Sequence, residues 1–226
     1  MNNSIEENIS QSSCRVDRPN VTFSPESHSK FIKLLSLKDV GGIIQSQHDF
    51  EYFDGFPDNK EYLLSGSLKL LRVPNAGGSS LLSEVFSYEL LGRHFGAKLH
   101  KTEMEIEYKT RNGPMTDYAV DINGTRLGVS VTRAMKFGGN YTEEHAHHLL
   151  NKKLKGVNQS TQNSFTTWTK QILHVWTTSD NITDIITKVY EHDIPPALKT
   201  NTLVLVTTTR SDFIFKNSYN LRRKKQ

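Results

Sequence analysis

Apolar residues recur at three- and four-residue steps over 80–94, where Leu81, Leu82, Val85, Phe86, Leu90 and Leu91 form one stripe. That spacing predicts an amphipathic helix. The run Pro74-Asn75-Ala76-Gly77-Gly78-Ser79-Ser80 breaks the chain before it, with Ser79 or Ser80 placed to cap the helix, and Gly92 and Gly96 close it. Glu84 flanks the stripe beside Leu81, Tyr88 and Leu91, so its carboxylate points toward packed structure. The period then shortens to two. Residues 102–108 set Thr102, Met104, Ile106 and Tyr108 against Glu103, Glu105 and Glu107; residues 115–122 set Thr116, Tyr118, Val120 and Ile122 against Asp117, Ala119 and Asp121; residues 125–132 set Leu127, Val129 and Val131 against Arg126, Gly128, Ser130 and Thr132. Alternation with one apolar face predicts three half-buried antiparallel strands.

Asn123-Gly124 between the last two strands is a strong signal for a tight hairpin. A two-residue loop pairs Val120 with Leu127, Tyr118 with Val129, Asp121 with Arg126, and sets Asp117 opposite Ser130. For the first hairpin, at Arg111-Asn112-Gly113-Pro114, a three-residue loop keeps the apolar faces aligned and puts Glu107 opposite Asp117, whereas a two-residue loop misaligns them. Further on, a helix is predicted from Thr142 to about Lys155. A longer helical region is expected over 163–192, broken near 178–181 and anchored by Phe165, Trp168, Ile172, Leu173, Val175 and Trp176, then Ile182, Ile185, Ile186, Val189 and Tyr190. Pro195-Pro196 ends it, and residues 202–207 (Thr-Leu-Val-Leu-Val-Thr) read as a buried strand. Residues 29–71 mix short apolar pieces with turn residues, with helix near 29–38.

Composition narrows the class. With 226 residues the chain is one domain with extensions or two small ones. The reading adopted is a flexible arm over 1–28, a single domain over 29–216 with its core at 80–207, and a basic tail over 217–226. No apolar run reaches the roughly 18–20 residues a membrane helix needs, and no apolar core of a secretory signal opens the chain. A single cysteine, Cys14, cannot form an internal disulfide, which points to a reducing intracellular setting, cytoplasm or nucleus. The net charge of +4 permits nucleic-acid contact without requiring it, and Arg222, Arg223, Lys224 and Lys225 carry as much positive charge as the whole excess.

The order helix, three antiparallel strands, helix, strand resembles the αβββαβ core of the PD-(D/E)XK nuclease-like superfamily. The resemblance covers about 80–207, with 163–193 as an insertion. It implies an α/β (α+β) fold, restriction-endonuclease-like, with a mixed sheet flanked by helices. It also implies a site in which Glu84 matches the helix acid, Met115-Thr116-Asp117 the aspartate position, and Gly128-Val129-Ser130-Val131-Thr132 the strand that carries E-x-K. Ser130 and Thr132 stand where that motif has its acid and its lysine. By this resemblance Glu84, Asp117, Ser130 and Thr132 are the catalytic candidates, and Asp117, Glu84 and Glu107 the candidate ligands for Mg²⁺, which prefers oxygen donors. Arg133, Lys136, Lys152 and Lys153 are candidate contacts to phosphates. The segments Ser130-Val131-Thr132-Arg133-Ala134-Met135 and Leu149-Leu150-Asn151-Lys152-Lys153-Leu154 also resemble the AAC-rich mRNA clone protein family, which implies no activity.

Plainer readings compete. Glu103, Glu105 and Glu107 suit a solvated strand face, and Asp121 opposite Arg126 suits a surface ion pair. His145, His147 and His148 lack the i,i+4 pairing of a zinc helix and fit an exposed helix side. Ser130 has no base paired with it in the sequence. Because the E-x-K positions are hydroxyls, the favoured expectation is a degenerate, non-catalytic domain that binds RNA or DNA. One alternative is a divergent Mg²⁺-dependent nuclease working through Asp117 and Glu84; the other is a protein-interaction domain without nucleic-acid affinity.

Overall fold

A computed structural model describes residues 21–53, 56, 58–74, 80–110, 113–136 and 138–216. Its strands are β1 (Val21–Thr22), β2 (Gly42–His48), β3 (Lys98–Thr102), β4 (Tyr118–Ile122), β5 (Thr125–Ala134), β6 (Lys170–Thr177) and β7 (Thr202–Thr208). Its helices are α1 (Pro25–Ser36), α2 (Ser65–Arg72), α3 (Leu81–Phe95), α4 (Glu143–Asn163), α5 (Asp180–His192) and the short α6 (Pro196–Lys199). The strands form one mixed sheet in the order β1-β2-β7-β6-β5-β4-β3. β2, β7, β6 and β5 run parallel, and the β1–β2, β5–β4 and β4–β3 pairs are antiparallel.

Each face of the sheet carries its own core. One joins Phe31, Val85, Phe86, Leu90, Val129, Trp176 and Leu205 beneath α1, α2 and α3. The other joins Leu150, Leu154, Leu173, Val175, Ile186, Val189 and Val206 beneath α4 and α5. Burying such side chains contributes about 1.5–3 kcal/mol each. The architecture is α/β, helices over both faces of a mixed sheet.

The Asn123-Gly124 hairpin forms in the expected register, with Val120 opposite Leu127, Tyr118 opposite Val129 and Asp121 opposite Arg126. Both turn residues have positive φ, 48° at Asn123 and 78° at Gly124, as the tight turn requires. Arg126 donates to Asp121 at 3.2 Å, the cross-strand pair expected. Helix α3 ends on Gly96 in the left-handed conformation, with φ of 63°.

Three expectations are corrected. The strand expected over 102–108 ends at Thr102, and Glu103–Glu105 is a 3₁₀ turn. The Glu105 carboxylate accepts the Thr102 N–H at 2.9 Å and an N–H of Lys69 Nζ at 2.7 Å, so Glu105 caps a turn and does not line a strand. The helical region expected over 163–192 is instead the end of α4, strand β6 and helix α5. Every residue of β6 is buried, because a parallel strand between β5 and β7 is covered on both faces and loses the alternation that marks a strand. Phe165, expected to anchor that helix, is 63% exposed, and Trp168 is only half-buried. The expected αβββαβ order is therefore completed by β6, not by residues 202–207, so 163–193 is no insertion. Finally, part of the arm assigned to 1–28 is regular structure: β1 and the start of α1 lie within it, with Ser24 capping α1 by accepting the Ser27 N–H. Residues 1–20 and the tail 217–226 lie outside the described residues.

Candidate functional site

The site gathers where α3 begins, where the chain enters β4, and along the second half of strand β5. Glu84 lies in the first turn of α3 and is 8% exposed. The helix start is pinned on both sides of it: the Trp176 indole N–H donates to Ser83 O at 3.0 Å, and the Ser80 hydroxyl donates to Glu84 Oε1 at 2.6 Å. Asp117 immediately precedes β4. Its N–H extends the ladder by donating to Val129 O at 3.0 Å, and its Oδ2 accepts the Val131 N–H at 2.6 Å. The aspartate is thereby locked to β5 through backbone, one strand position from Ser130.

Burial pushes both carboxyls up. For Asp117, held well above the usual carboxylate range, burial is the largest cause and the Glu84 charge the next, opposed by the Val131 N–H and by Lys153. For Glu84, burial raises the carboxyl and the Ser80 hydroxyl lowers it; the Glu103 charge raises it, and Lys153 and Arg133 lower it. Two acids and a third, Glu103, thus share one neighbourhood with two cations. The cations come from different directions. Lys153 stands on the face of α4 whose Ser160, two turns on, is 3.0 Å from Thr116 Oγ1. Arg133 is on the β5 side shared with Val129 and Val131, and donates to Phe215 O at 3.1 Å.

The structure divides the residues singled out in the sequence. Glu84 and Asp117 are brought together, with Lys153 and Arg133 beside them. Ser130 and Thr132 are buried on the opposite face of β5 from Val131, in the strand that holds Asp117. Glu107 is not part of the cluster. Once the chain leaves the sheet at Thr102, Glu107 no longer faces Asp117; its side chain is 76% exposed and lies 3.9 Å from Lys101 Nζ. The acid whose charge reaches Glu84 and Asp117 is instead Glu103, expected from the sequence to sit on a solvated strand face. Lys136 and Lys152 are exposed. The His145 ring caps α4 by accepting the Thr142 N–H at 3.2 Å, in keeping with the helix-surface reading of that trio. Among the described residues no group of three or more His, Cys, Asp or Glu side chains is arranged to hold a metal ion.

A three-layer α/β protein with a buried carboxylate pair bordered by lysine and arginine is the class these observations define. Over 195 residues the chain is 48% identical to the AAC-rich mRNA clone AAC4 protein of Dictyostelium discoideum. The match covers 82% of this chain and 28% of that protein, so the chain spans less than a third of its relative's length. This similarity agrees with the resemblance noted over 130–154. No family model matches the chain, and no solved structure matches it. Neither result links it to the PD-(D/E)XK superfamily, and the likeness is one of element order and two acids. No helix among the described residues is long and apolar enough to cross a membrane.

Proposed function

We propose that the cluster around Glu84 and Asp117 is a divalent-cation-dependent site for phosphodiester hydrolysis on RNA or DNA. The observation that carries this reading is the pairing itself: two carboxylates placed so that one raises the other, in a setting that burial already makes hostile to negative charge. Such an arrangement costs stability and is the kind kept for chemistry. Its donors are oxygens, and Mg²⁺ is commonly held by one or two carboxylates with waters completing the shell. Glu84 and Asp117 would hold the ion, with the charge of Glu103 acting on both. When bound, the ion supplies charge neutralisation at the phosphate and a lower pKa for the attacking water.

The remaining roles fall to this chain's own groups. The Val131 N–H and the Ser80 hydroxyl each occupy one carboxylate oxygen and orient the other. Lys153 supplies from α4 the positive charge that Thr132 cannot supply from β5, and faces the phosphate oxygens. Arg133, anchored on the Phe215 carbonyl, adds a second cation. The buried hydroxyls at Ser130 and Thr132 favour a second reading, in which the site binds nucleic acid without cutting it.

The test is incubation of the purified chain with single- and double-stranded RNA and DNA, with Mg²⁺ or Mn²⁺ and with chelator. Cleavage is expected with metal, and is expected to fall at least 100-fold in Asp117→Ala and in Lys153→Ala. Cleavage that persists in chelator removes the metal mechanism. Binding that weakens steeply with salt, without cleavage, favours the second reading.

A further inference from the structure

Behind the carboxylate pair runs a line of buried polar groups that no hydrophobic core needs. Ser87 Oγ is 2.6 Å from the Tyr118 hydroxyl and 2.7 Å from His174 Nδ1. His174 Nε2 is 2.9 Å from Thr207 Oγ1, which is 2.8 Å from Ser46 Oγ. Ser87, Tyr118, His174 and Thr207 are all fully buried. The line joins α3 to β4, β6, β7 and β2.

Its position relative to the site is specific. Ser87 is three residues beyond Glu84 on α3, one turn along the same side of the helix. Tyr118 is the residue after Asp117. The Ser87–Tyr118 contact is therefore a direct tie between the element that carries one acid and the strand that carries the other. Aliphatic side chains of similar volume would fill the space, but they would not fix the helix to the strand at one distance and one angle. His174 makes the tie rigid from behind. Its ring takes one partner on each nitrogen, so Ser87 is held by hydrogen bonds on two sides.

Resting on the metal-site reading above, we propose that Ser87 and Tyr118, backed by His174, are positioning residues that set the separation of Glu84 and Asp117. None of the three is required to touch substrate. Their contribution is to keep two acids close that would otherwise move apart, by letting α3 slide along the sheet.

The experiment uses the full chain and a readout that does not need activity. The separation of the Glu84 and Asp117 carboxyls is measured in crystal structures of the wild type, of Tyr118→Phe, which removes one oxygen, and of Ser87→Ala. Val189→Ala, in the core on the other face of the sheet, serves as a variant destabilised elsewhere. Folding is followed by circular dichroism and Mg²⁺ binding by calorimetry. In Tyr118→Phe and Ser87→Ala the two carboxyls are expected to lie farther apart. Mg²⁺ affinity is expected to fall about tenfold, as for other groups that orient metal ligands. Val189→Ala should change neither. A carboxyl separation that stays at its wild-type value in folded Tyr118→Phe overturns the proposal. A wild type that binds no Mg²⁺ removes the metal-site reading, while the measured separation still decides whether these residues set the spacing of the acids.

Discussion

At the scale of single residues, the site acids and the buried histidines pull stability in opposite directions with pH. Glu84 and Asp117 have raised carboxyls, so the folded state holds their protons to higher pH than the unfolded chain does. Stability contributed by their neutral forms is present at low pH and is lost as pH rises from the ordinary carboxylate range through the raised values. Asp117→Asn keeps an oxygen for the Val131 N–H and should raise the melting temperature by a few degrees at pH 7, with little change near pH 4, read by calorimetry. His48 and His174 are held down to about 3 and His94 to about 4, in each case by burial first. For these the unfolded chain takes up protons first, near 6.5. Each should therefore cost up to about 1.4 kcal/mol of stability per pH unit as pH falls from roughly 6.5 toward its lowered value. Denaturant midpoints measured across pH 4–7 should fall toward acid. His94→Phe should flatten that slope, since its Nε2 is buried without a partner among the described residues and nothing is lost with it.

At the scale of elements, what could be read in the chain depended on whether polar residues keep a period. α3 and the β4–β5 hairpin are buried almost throughout, yet Ser83, Glu84, Ser87 and Glu89 on the helix and Gly128, Ser130 and Thr132 on the strand mark the period, and the stripe, turn and pairing were legible. Gly124→Ala puts a Cβ on a backbone with φ of 78° and should cost about 1 kcal/mol in a denaturation experiment, without altering the fold. β6 was illegible for the opposite reason: covered on both faces, its Gln-Ile-Leu-His-Val-Trp run has no period to read. The site shows the same division. Glu84 and Asp117 stood out because each sits at an element boundary that local rules locate. Lys153 could be listed as a cation but not aimed, since its approach depends on how α4 lies over the sheet. Glu103 was misread because a run of alternating glutamates was taken for a strand, when Glu105 was engaged in capping a turn.

At the scale of the molecule, the two cores are separate in space but share one sheet, and the middle of that sheet is made by the strands that come last in sequence. β2 and β5 do not pair with each other; β7 and β6 lie between them. A chain stopped after residue 163 would leave the inner edges of both unpaired and most of the second core without its partner. Such a fragment should show no cooperative unfolding transition and should bind hydrophobic dyes, where the full chain shows one transition by calorimetry and circular dichroism.

The same strand order has a consequence during translation. The strands needed to join two early-made halves leave the ribosome after both have been waiting with open edges. At roughly 5–20 residues per second, the wait from the end of β5 to the end of β7 lasts several seconds. An edge left bare for that long is an invitation to pair with a neighbouring nascent chain. Yield in a cell should then depend on how fast residues 164–208 are synthesised, and slowing codons placed after α4 should lower the soluble fraction without changing a single amino acid.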